Sequence, residues 1–86
     1  MTQPPPAEIG MHVDEVDTPA LLIEMASFEH NLQRMADRAR ELGGALRPHA
    51  KMHKSPEIAA IQLQLGAVGQ CCQKLSESDI LVESGI

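Results

Sequence analysis

Arg47-Pro48-His49-Ala50-Lys51-Met52-His53-Lys54-Ser55-Pro56-Glu57 is the stretch on which the fold turns. To its right, Ser55-Pro56-Glu57 is a helix start: a hydroxyl that can cap, a proline at the first helical position, and an acid in the first turn. Ile58, Ile61 and Leu65 follow at helical spacing, and Gly66 ends the run, which predicts a helix over Pro56–Leu65. To its left, Ala45 to Lys51 reads as a short strand. Side chains alternate across a strand, so Arg47, His49 and Lys51 share one face while Leu46, Pro48 and Ala50 take the other. Pro48 sits uneasily there, because it lacks the ladder donor and suits an edge or a bulge better than a central strand.

The same alternation of elements runs outward from this unit. Before it, Ala20-Leu21-Leu22-Ile23-Glu24-Met25 is a short apolar run bounded by Pro19 and Ser27, which reads as a strand. Ser27 is then an N-cap, and Phe28, Leu32, Met35, Ala39 and Leu42 make one apolar helical face ended by Gly43-Gly44. After it, Ala67 to Cys72 is a third strand candidate. Ser76 and Asp79 form a loose capping box before Ile80, Leu81 and Val82, with Gly85 as the stop. Strand, helix, strand, helix, strand, helix is the order of an α/β fold built on a parallel sheet. Residues 1–16, with Pro4, Pro5 and Pro6 in a row, read as a flexible N-terminal tail. Residues 17–86 then form the folded part. Three buried parallel strands leave an open, poorly covered sheet, and a full (β/α)8 barrel needs roughly 250 residues. The expectation is therefore a piece of a domain or a truncated reading frame.

Composition narrows the possible partners. The 86 residues carry 43% hydrophobic side chains but one Phe and no Trp or Tyr, so any core must come from aliphatic residues and Met. Seven Lys and Arg against twelve Asp and Glu give a net charge of −5, which argues against nucleic acid or an anionic membrane surface. No apolar run has the length of a membrane span, and Met1 to Gly10 lacks the pattern of a secretory signal. Cys71 and Cys72 are neighbours, a pairing that strains a disulfide, and they read as two reduced thiols of a cytoplasmic protein.

The chemistry-bearing face is the one with Arg47, His49 and Lys51. Three ionisable groups in a row are costly if buried without counter-ions. At the C-terminal end of a barrel strand they would instead face the usual active site. A lysine there, short of solvent and beside other cations, exposes the neutral amine that attacks an aldehyde. On spacing alone a basic loop ahead of a helix is ordinarily a solvated one; Lys54 reads as a solvated or anion-pairing side chain, and Lys74 as a surface lysine before a placement at the active-site rim. His12, His30, His49 and His53 do not make a metal site, because two histidines around a strand end are not a closed set of ligands. No Gly-x-Gly-x-x-Gly pattern occurs, so a dinucleotide site is unsupported.

Asp17-Thr18-Pro19-Ala20-Leu21, then Leu46-Arg47-Pro48-His49-Ala50-Lys51-Met52-His53-Lys54-Ser55-Pro56-Glu57-Ile58-Ala59, then Gly66-Ala67-Val68-Gly69 and Lys74-Leu75-Ser76-Glu77, together resemble the D-threonine aldolase and D-serine dehydratase-like family. That family belongs to the alanine-racemase-type, fold-type III enzymes that use pyridoxal 5'-phosphate (PLP). The resemblance implies the first βα units of a TIM-type PLP barrel, incomplete in this chain, over residues 17–86. It implies that Lys51 holds the cofactor as a Schiff base, with Arg47, His49 and His53 at the active-site rim. It implies a lyase acting on small D-β-hydroxy amino acids, with retro-aldol cleavage of D-threonine to glycine and an aldehyde first, and dehydration of D-serine as the alternative. The family's divalent-metal ligands and phosphate-cradling loops have no counterpart in these residues, so the chain by itself is expected to be inactive. A non-catalytic remnant that works only by associating with other chains is the reading from another class.

Overall fold

Three α-helices alternate with short extended segments in the computed structural model, which describes residues 5–86. Helix α1 spans Met25–Glu41, α2 spans Pro56–Gln64 and α3 spans Leu75–Glu83. A single 3-10 turn, Val13–Glu15, lies in the segment read as a tail, and the Asp17 N–H donates to the Pro6 carbonyl, closing that segment into a loop. The first four residues of the expected tail lie outside the described residues.

Helix α2 has the predicted origin. Ser55 is its N-cap, with the hydroxyl accepting from the Ile58 N–H at 3.2 Å, and Pro56 opens the first turn. Gly66 follows at a φ of 108°, a left-handed conformation that glycine adopts without a Cβ clash. Helix α1 starts earlier than the sequence predicts. Glu24, not Ser27, is the N-cap, and its carboxylate accepts the Ser27 N–H at 2.5 Å. That bond draws Met25 and Ala26 into the first turn and removes Met25 from the expected strand. Helix α3 is also capped differently: Lys74 occupies the N-cap position without a side-chain bond, so the predicted Ser76–Asp79 box does not form.

Among the described residues none of the three expected strands forms. Residues 20–24 are irregular, with Leu21 fully exposed, because nothing lies beside them to complete a ladder. The other two pair in parallel but incompletely, through one bridge between His49 and Cys71. The Val68 N–H donates to the Leu46 carbonyl at 2.9 Å, and the Cys71 N–H to the Pro48 carbonyl at 2.8 Å. In a regular parallel ladder the Pro48 carbonyl would accept from Gln70, and Pro48 would donate to Val68. Pro48 has no N–H to donate, and the facing segment takes in one extra residue, as in a bulge. The extended segment then ends at His49, so Lys51 lies in the turn that follows and not on the strand.

The predicted in-and-out alternation survives this defect. Leu46 and Pro48 are half-buried and Ala50 is 1% exposed, while Arg47 and His49 face out. Ala50, Ala59 at 0% and Leu81 at 5% form the core, with Cys72 and Ile86 against them. It is a core of small side chains, as expected of a chain with one aromatic residue. Helix α1 buries Ala36 and half-buries Phe28, Leu32 and Ala39, whereas Met35 and Leu42 of the predicted face are exposed. Its placement is fixed by Arg40, whose Nη1 donates to the Leu65 carbonyl at the C-terminus of α2, a favourable end for a cation.

Candidate functional site

The lysine turn is built from its backbone upward. The Lys54 N–H donates to the Ala50 carbonyl at 2.8 Å, closing a five-residue turn around Lys51, Met52 and His53. Lys54 takes a φ of 53°, in the left-handed region, which redirects the chain into the Ser55 cap of α2. Buried Ala50 anchors one side of the turn and α2 the other. The Lys51 side chain projects from it into solvent. The solvent depletion expected of this lysine is therefore not supplied by the described residues.

Both histidines of the motif hold the turn. His49 Nδ1 accepts the Lys51 N–H at 3.1 Å, and His53 Nδ1 accepts the Ser55 N–H at 2.9 Å. A ring nitrogen that accepts is unprotonated, so each neutral imidazole carries its proton on Nε2. His53 Nε2 is buried and has no hydrogen-bond partner. Arg47 lies apart from Lys51, over the facing segment. A β-carbon placed on Gly69 would fall 2.5 Å from Arg47 Nη1, so the guanidinium occupies the space that glycine leaves open. The sequence places Arg47, His49 and Lys51 on one face; the structure keeps Arg47 and His49 outward and moves Lys51 into the turn.

Beside the turn is a cavity of about 230 Å³, lined by Ala50, Lys54, Lys74, Ser76 and Glu77, with Ile80 and Leu81 of α3. Glu77 ties this corner together by accepting the Gln73 N–H at 3.0 Å. That bond holds its carboxyl below the ordinary value, helped by the Lys74 N–H and by the charge of Lys54. The sequence left Lys54 as a solvated or anion-pairing side chain and Lys74 as a surface or rim lysine; what brings them together is the packing of α3 against the turn, which no local pattern encodes. A broader concavity of about 760 Å³ runs along the polar face of α1 alone and contains no lysine or cysteine. Among the described residues no three of His, Cys, Asp and Glu gather as they would around a metal ion. Among the same residues no helix is long and apolar enough to cross a membrane.

Comparison with known proteins sets this lysine turn beside relatives named as aldolases and dehydratases of hydroxylated D-amino acids. No family model matches the chain. The D-threonine aldolase of an Arthrobacter species is 54% identical over 83 residues, which are 96% of this chain and 22% of that protein. The D-serine dehydratase of Schizosaccharomyces pombe is 42% identical over 55 residues, 64% of this chain and 13% of that one. The crystal structure of D-threonine aldolase from Filomicrobium marinum superposes with a TM-score of 0.91 at 54% identity, over 94% of this chain and 22% of that chain. The chain belongs to the D-threonine aldolase and D-serine dehydratase-like family, and it spans about a fifth of the length of the aldolases it matches.

Proposed function

We propose that this chain is the cofactor-anchoring part of a PLP-dependent lyase that cleaves D-β-hydroxy amino acids, with D-threonine as the first substrate. The observation that carries the reading is Lys51, presented by a hydrogen-bonded turn on a backbone that follows a D-threonine aldolase at a TM-score of 0.91.

The residues present suit the cofactor in two respects. Lys51 offers an accessible primary amine for the aldehyde carbon. His53 holds a buried Nε2–H that lacks an acceptor, and such a donor costs about 1–3 kcal/mol until something accepts from it. Lys51 would hold the cofactor, and His53 would donate to it or to a group that packs with it. When bound, PLP supplies the electron sink that bond cleavage next to an amino-bearing carbon requires. The described residues do not fit the divalent metal of the wider family, whose ligands would have to come from elsewhere. Dehydration of D-serine is the second reading, favoured by the 42% identity to a D-serine dehydratase. A barrel setting is supported by the alternation of helices with two segments that pair in parallel. Two free cysteines support a reducing compartment such as the cytoplasm.

The test is reductive trapping. The chain is mixed with PLP, reduced with borohydride and mapped by peptide mass spectrometry. The pyridoxyl label is expected on Lys51, and Lys51→Ala should abolish it. A label on Lys54 or Lys74 in place of Lys51 would overturn the assignment.

A further inference from the structure

The cavity between the lysine turn and α3 is not used by that reading, since Lys51 does not line it. We infer that it is a binding site for a small oxyanion of the carboxylate or phosphate class, held by the ammonium groups of Lys54 and Lys74 and by the Ser76 hydroxyl.

Three features of the cavity carry this. Its floor is dry: Ala50 and Leu81 are 1% and 5% exposed, so charges at its mouth are screened on one side by protein and not by water. Its rim is cationic: two lysines face one carboxylate, that of Glu77. Glu77, whose Oε1 accepts the Gln73 N–H, offsets one of them and leaves the rim with a net positive charge. Its size suits the ligand, since about 230 Å³ is room for roughly eight waters at about 30 Å³ each, enough for an oxyanion with part of its hydration shell. The local excess of positive charge stands out in a chain whose net charge is −5. Lys54 is also held in the left-handed region, an unfavourable conformation for a lysine that fixes the direction in which its side chain leaves the turn. The site does not depend on PLP, because neither lysine is assigned to the cofactor.

The experiment is an NMR titration of the whole chain with inorganic phosphate and, separately, with succinate, at constant ionic strength. Saturable shifts are expected at the amides of Lys54, Lys74, Ser76 and Glu77 and not along α1. Saturation by phosphate alone identifies a phosphoryl group as the natural ligand, and saturation by succinate alone a carboxylate; either supports the site. Lys54→Gln and Lys74→Gln should each raise Kd about tenfold, about 1.4 kcal/mol of binding. Arginine at either position should retain binding. Arg38→Gln, which removes the same charge from α1, should change Kd less than twofold, and circular dichroism of each variant checks that helix content is kept. Absence of saturation with both anions overturns the inference. So does saturation that persists in the Lys54→Gln/Lys74→Gln double variant, or an equal loss in Arg38→Gln.

Discussion

His49 and His53 each turn Nδ1 onto a backbone N–H two residues further on, so the motif's imidazoles shape the turn before they touch any ligand. This gives a prediction at the residue scale. His49→Ala removes the acceptor for the Lys51 N–H, and amide exchange at Lys51 should speed up severalfold. His49→Asn should restore protection, because an asparagine oxygen bonds to the backbone two residues on in the same way. Equal exchange in wild type and both variants would show that the imidazole does not hold the turn. The turn that carries Lys51 falls at the end of the extended segment, close to where the sequence puts the strand end, because the motif is local. Its exposure was not legible, because burial depends on what packs over the turn.

Glu24 shows how one side chain moves the boundary of an element. The Ser27 N–H donates to its carboxylate and holds its pKa below the ordinary 4.5. A carboxyl whose folded pKa lies below its unfolded value stabilises the fold above the unfolded pKa, and that support is lost as pH falls through the folded value. The first turn of α1 should therefore fray on acidification below about pH 4.5, seen as a drift of the Met25 to Phe28 carbon shifts toward coil values. Glu24→Gln should remove that step, and an unchanged acid drift in this variant would exclude Glu24 as its source. The three helices were legible because each combines apolar spacing with a glycine stop. The strands were not. Pro48 shows why: its missing donor was read correctly as a defect, but the consequence, a one-residue slip opposite it, involves a partner twenty residues away. Met35 and Leu42 were assigned to the buried face of α1 because periodicity counts large apolar residues, while the structure seats the small Ala36 against its neighbours.

At the scale of the molecule, the chain is a slab. Its extents are 47 × 31 × 18 Å and its radius of gyration is 15.4 Å, where a compact domain of this length would have about 12 Å. It exposes 7025 Å² against roughly 5,000 Å² for a compact protein of its mass. The excess includes Leu21, Leu22, Ile23 and Met25, the apolar run that reads as a strand. The expectation is a broad, weakly cooperative thermal transition with strong binding of a hydrophobic dye at neutral pH. A sharp transition without dye binding would contradict it. Cleavage of D-threonine by the chain alone, even with PLP, should be close to background, because a displacement of about 1 Å can cost a hundredfold in rate. Robust turnover would show that these residues complete an active site.

The left-handed Lys54 has a consequence for laboratory evolution. Glycine or asparagine fits that backbone better, so Lys54→Gly should stabilise the turn by about 0.5–1 kcal/mol. A library sorted for thermal tolerance alone would therefore discard the lysine, and a library sorted for anion capture would keep it. The two selections pull one codon in opposite directions, and the residue each recovers at position 54 would show which pressure this chain has answered to.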